Sequence, residues 1–184
     1  MFYNRPRTII YVLSLLTFVF SVNAFGQRVA LKTNALYWGA LTPNLGAEFR
    51  LSRHYTLNVE AAANPFTISG NRLHAAAFTP EVRYWFSARP HARHFVGVMA
   101  LGATYDLIFS DKHYEGDALG GGLTYGYSFV LSRRLSLETT LGVGALHYRG
   151  QKYGTGEAAP DDINQKKTIL APLKAGVTLT YILK

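Results

Sequence analysis

From Gln27 onward apolar side chains recur at every second position, and the positions between them hold full charges as well as neutral polar groups. A period of two belongs to β-strands, whose successive side chains point to opposite faces. Several of the segments reach the ~9–11 residues that a tilted strand needs to cross a bilayer. No stretch shows helical periodicity. In the first segment Val29, Leu31, Thr33, Ala35 and Tyr37 share a face, with Lys32, Asn34 and Trp38 opposite. The second sets Leu45, Ala47, Phe49 and Leu51 against Glu48 and Arg50, and the third sets Leu57, Val59, Ala61 and Ala63 against Asn58 and Glu60. The fourth sets Val82, Tyr84 and Phe86 against Glu81, Arg83 and Trp85. The fifth, Phe95 to Asp106, is apolar on both faces, and Asp106 favours an outward set of Phe95, Met99, Leu101, Ala103 and Tyr105. The sixth and seventh oppose Leu119, Leu123, Tyr125, Tyr127 and Phe129, then Leu137, Leu141 and Val143, to faces rich in glycine, serine and threonine around Glu138. The last opposes Leu173, Ala175, Val177, Leu179 and Tyr181 to Lys174, Gly176, Thr178 and Thr180.

Which face lies inside decides the class, because a soluble barrel turns its apolar residues inward and a membrane barrel turns them to lipid. The face opposite the apolar one carries Lys32, Arg50, Arg83 and Lys174 with Glu48, Glu60, Glu81 and Glu138. Turned to lipid, each would cost up to ~2–4 kcal/mol near the midplane, so together they exceed the ~5–15 kcal/mol by which proteins are stable. Inside a narrow lumen they neutralise one another. The expectation is an all-β fold, an eight-stranded antiparallel up-and-down transmembrane β-barrel spanning 27–184. A soluble antiparallel sandwich is the alternative, but few segments read as elements to cover it.

Connections alternate in length, as in barrels with tight periplasmic turns and longer outer loops. Ser52 to Tyr55, Ser87 to His94 and Ser132 to Arg134 are the expected turns; Gly39 to Pro43, Pro65 to Phe78, Leu107 to Asp117 and Gly150 to Lys167 are the expected outer loops. Tyr84, Phe86, Phe95, Tyr127, Phe129 and Tyr181 then form an aromatic girdle near the turns.

At the N-terminus, Arg5 and Arg7 precede an apolar run from Thr8 to Val22 and the small residues Ala24 and Gly26. This reads as a signal peptide at 1–26, cleaved after Ala24 or Gly26. It implies export to the outer membrane of a Gram-negative bacterium. With no cysteine, the product is held by its sheet rather than by disulfides. The net charge of +8 falls to +6 without Arg5 and Arg7, and the remaining charges are dispersed, unlike a nucleic-acid-binding tail. Outer-membrane lipids, including anionic head groups, are the better partners.

The turns are uniformly basic, with Arg53, Arg89, Arg93, Arg133 and Arg134 and no acid among them, which suits phosphate contact or a solvated rim. His91 and His94 have a metal-site spacing but lie among arginines without acidic or cysteine co-ligands, so no metal is expected. His147, Ser110, Asp111 and His113 are the only approach to a hydrolytic set, and no serine and histidine share a rigid face. No catalytic residue and no cofactor are therefore assigned. The expected function is a non-enzymatic barrel with a plugged, charge-paired lumen in a structural or surface-interaction role. An envelope-lipid-modifying enzyme and a narrow channel are the alternatives.

The strings KTNALYWGALTPNLGAEFRL (Lys32 to Leu51), NPF (Asn64 to Phe66) and PEVRYWF (Pro80 to Phe86) resemble a family of Bacteroidales outer-membrane barrels known only as a domain of unknown function. HFVGV at His94, YEG at Tyr114 and GYSF at Gly126 extend the resemblance over most of the chain after the leader. It implies an exported OmpA-like barrel, often encoded near fimbrillin-type surface proteins, and so a surface or fimbrial protein as a candidate partner. It brings no catalytic residues.

Overall fold

The computed structural model describes residues 29–68, 71–109, 112–154 and 165–183. The leader at 1–26, Ser110, Asp111 and the middle of the Gly150 to Lys167 loop lie outside the described residues. The alternating segments form the eight strands of the barrel wall: β1 (Val29–Asn34), β2 (Asn44–Arg50), β3 (Tyr55–Asn64), β4 (Asn71–Trp85), β5 (Arg93–Phe109), β6 (Lys112–Val130), β7 (Leu135–Gly154) and β8 (Gln165–Ile182). Each pairs antiparallel with its sequence neighbours, and β1 also pairs with β8, so the sheet closes on itself. A two-residue ladder, Thr67–Ile68 with Asn71 and Arg72, extends the β3–β4 hairpin. Closure removes sheet edges, which leaves the faces to decide what the barrel contacts.

The faces are inverted relative to a soluble protein. Leu119 and Leu141 are each 70% exposed, whereas Lys32, Glu48, Glu81, Arg83 and Glu138 are buried. The buried set is otherwise mainly threonine, serine and asparagine, with Trp85, Phe95, Met99, Ala30 and Ala92 as its apolar members.

Four local features depart from strict alternation. The chain leaves β1 at Asn34 and forms a short helix α1 (Ala35–Gly39), so Ala35, Tyr37 and Trp38 are not strand residues. Asn34 caps the helix by accepting from the Leu36 N–H at 3.1 Å. Trp38, expected inside, lies exposed and donates from Nε1 to the Thr33 hydroxyl at 2.7 Å, while Tyr37 is only half-exposed. Second, the outward set expected for the fifth strand is reversed: Phe95 and Met99 are buried, and Val96 and Val98 face out. The Phe95 ring fills the space opposite Gly126, its β6 partner, and lies 4.7 Å from the Trp85 ring. Third, a bulge beside Gly142/Val143 leaves Leu173 without a register partner and shifts the parity of β8. Leu173 turns inward toward Gly120, and Pro172 and Leu170 take the exposed face. Fourth, strands run into three of the four segments expected as outer loops, Gly39 to Pro43 being the exception, with β5 and β6 paired as far as Phe109 and Lys112.

The wall is uneven. β1 and β2 have six and seven residues, whereas β6, β7 and β8 have 19, 20 and 18. The β1–β8 ladder stops at Asn34 and Thr178, while β8 continues beside β7 to Gln165. Asn34 prolongs that ladder with its side chain, accepting from Val177 N–H and donating to Ala175 C=O, both at 3.1 Å. Beyond it α1 packs near β8 in place of a strand.

Candidate functional site

The interior near the turns is an ion-pair network assembled from six strands. Lys32 Nζ lies 2.6 Å from Glu48 and 2.5 Å from Glu138. Arg83 reaches the same two carboxylates at 3.0 Å and Glu81 at 2.8 Å. Lys174 joins Glu81 at 3.0 Å to Glu60, with which it also pairs. Neutral donors occupy remaining carboxylate oxygens: Thr56 on Glu48 at 2.5 Å, Thr124 on Glu81 at 2.6 Å and Thr180 on Glu138 at 3.1 Å. Asn58 bridges Glu60 and Glu81, and Trp85 donates to Thr56 at 2.9 Å. Above the Arg83 guanidinium carbon, 4.4 Å away, lies the Phe95 ring, adding a cation–π contact. Buried charges are tolerated where each is paired and hydrogen-bonded, as here.

Seven of the eight charges expected in the lumen meet in this network. Arg50 does not: it stands at the end of β2, where its Nε donates to Ser52 C=O at 3.0 Å beside the mouth. A strand's last inward position faces the opening rather than the bore, so water is within reach. Without Arg50, four carboxylates face three cations.

His91 lies beside that surplus. The β4–β5 turn dips into the mouth, burying Pro90, His91 and Ala92, with His91 at φ 61° and Arg93 at φ 67°. Ser128 holds the turn through a 2.8 Å bond to His91 C=O. His91 Nδ1 is 3.7 Å from Glu48 and 3.8 Å from Glu138, and neither ring nitrogen has a hydrogen-bond partner. The expected His91/His94 pair does not converge, since His94 faces outward onto the Tyr125 hydroxyl at 2.6 Å. Ligand atoms of Glu48, His91 and Glu138 do lie within 4.8 Å of one another. A metal ion there would have to displace Lys32 and Arg83 from Glu48 Oε2 and Thr180 from Glu138 Oε1, so the residues do not fit one.

The basic turns share one device. Ser52, Ser87 and Ser132 each accept, through the hydroxyl, from the N–H two residues on, which turns the chain and leaves arginines at the tips. Arg89, Arg133 and Arg134, with Arg50, line a cavity of ≈ 260 Å³ at the mouth, floored by His91. Arg53 and Arg93 lie outside it. An outward girdle surrounds this end: Tyr55 and Phe86 meet Tyr84 at 5.2 and 5.5 Å, and Tyr127 meets Phe129 at 4.6 Å. Phe95 is not part of it.

At the opposite end the polar contacts of the described residues include one part-buried pair and others that are exposed. His113 contacts Asp106 at 2.6 Å, His147 contacts the Thr168 hydroxyl at 2.8 Å, and Arg149 stands 4.0 Å from Asp117. Tyr105, expected outward, brings its hydroxyl against Gly116 and Gly150 on the inner face.

No curated protein matches the chain. A family model described as protein of unknown function (DUF3575) matches residues 9–183, and the chain belongs to that family.

Proposed function

We propose that the protein is a non-enzymatic outer-membrane barrel, plugged by its ion-pair network, that serves a structural or surface-interaction role. The observation carrying this reading is the inversion of polarity: a closed antiparallel barrel with leucine, valine and tyrosine outside and paired lysine, arginine and glutamate within. Lipid hydrocarbon is the solvent for which that exterior is matched, and a closed barrel is one of the two folds whose backbone is satisfied there. The aromatic girdle sets the short turns at one interface, which makes that end periplasmic and the long-strand end external. Arg83, Trp85 and Phe95 fill the bore, which favours a closed barrel over a channel. Lipids are the immediate partners, and a surface or fimbrial protein would meet the long-strand end.

Outer-membrane fractionation with gel migration before and after heating tests the reading. A membrane-bound product whose migration shifts on heating is expected; recovery as a purely soluble periplasmic protein would overturn it.

A further inference from the structure

We infer that the cavity in the turn-end mouth is a binding site for a phosphate group, held by Arg50, Arg89, Arg133 and Arg134 over His91. The four guanidinium groups come from three separate places, the end of β2 and two turns, yet converge on one concavity. Among the described residues none of the four is within ion-pair distance of a carboxylate, and the acids nearest the mouth, Glu48 and Glu138, are engaged by Lys32 and Arg83. Like charges gathered in a concave surface repel unless an anion joins them, and such a surface focuses a positive potential outward. Guanidinium forks match the oxygens of phosphate, whose charge of about −1.5 to −2 in a monoester several arginines can share. The volume of ≈ 260 Å³ accommodates a phosphoryl group with waters, each of which occupies about 30 Å³ in the liquid.

His91 supplies an independent observation. It is 5% exposed, sits in the left-handed region at φ 61°, lines the cavity, and has two ring nitrogens without hydrogen-bond partners. Buried polar nitrogens are almost always satisfied, and a non-glycine residue held at positive φ marks a constrained position. With Nδ1 turned toward Glu48 and Glu138, His91 closes the floor of the cavity and, when protonated, adds to its positive potential. The phosphate can belong to a soluble monoester or to the diester of a lipid head group, which carries one charge and two free oxygens; guanidinium forks pair with the oxygens of either.

The test uses the full chain folded in phosphatidylcholine nanodiscs, titrated calorimetrically with inorganic phosphate, and the same chain in phosphatidylglycerol nanodiscs, examined by native mass spectrometry for retained lipid. Saturable phosphate binding that weakens at least tenfold in Arg89→Gln/Arg133→Gln, and not in Arg149→Gln at the far end, identifies a soluble source. Retained phosphatidylglycerol that is lost in the double variant identifies a head group. Absence of both in the wild type, or equal binding by the wild type and the double variant, overturns the site. Heat-shifted migration of every variant confirms folding, and failure to reach the outer membrane would count against the proposed function while leaving this result readable.

Discussion

The two ends of the barrel are built on opposite principles. Near the turns all eight strands are present, and Lys32, Arg83 and Lys174 each bond at least two carboxylates contributed by different strands. Toward the far end β1 and β2 have already stopped and the inner face offers Gly116, Gly120, Gly122 and Gly144; among the described residues the ion pairs there include His113 with Asp106 and Arg149 with Asp117. One end is a base in which six of the eight strands are bound to one another through charged side chains. At the other end β5 to β8 continue their backbone ladders as far as Phe109, Lys112, Gly154 and Gln165.

Changing one charge at each end separates the two most sharply. Arg83→Leu leaves Glu48, Glu81 and Glu138 short of a partner and should cost about 3–5 kcal/mol in urea unfolding followed by tryptophan fluorescence. Arg149→Leu, whose group is 4.0 Å from Asp117 and exposed, should stay within about 0.5 kcal/mol in the same measurement. Equal effects would erase the distinction.

Packing gives the next contrast. A Cβ at Gly126 would meet Phe95 Cζ at 2.4 Å and Thr139 C=O at 2.6 Å, whereas one at Gly102 meets nothing within 4 Å. Gly126→Ala should therefore cost about 1–3 kcal/mol, and Gly102→Ala should show no loss of urea midpoint. Asn34→Ala marks the boundary between the ends, because it removes the α1 cap and both bonds to β8. A loss of about 1–2 kcal/mol is expected, read from the same unfolding curves. The smallest effect is kinetic: amides from Gln165 to Ala171 should exchange faster than those from Val177 to Tyr181, which lie between two strands. Uniform exchange along β8 would show the far end to be as firmly held as the base.

Much of the base was legible in the sequence, because a charge on the polar side of an otherwise apolar strand has one place to go. Seven lumen charges follow from that rule alone, and Arg50 escapes it by standing at a strand end. The fifth strand carries no parity signal of its own, because apolarity on both faces removes what alternation supplies. Its correct register was recorded across the sheet instead, where Gly126 leaves room for Phe95 and Trp85 lies on the other side. The break in β8 lies beside Pro172, but a bulge is set by pairing between strands and has no single-strand pattern. The arginine cavity was half visible. The basic turns stood out, but their convergence with Arg50 over His91 depends on how far the β4–β5 turn dips into the mouth.

The central claim is that odd and even positions of one strand face different media. The chain has no cysteine, so single cysteines placed along β7 can carry a fluorophore without competing labels. In reconstituted bilayers, labels at Leu137, Leu141 and Val143 should be quenched by a lipid-phase quencher, and labels at Ser136 and Thr140 should not. Quenching of the even series, or of neither, would contradict the account.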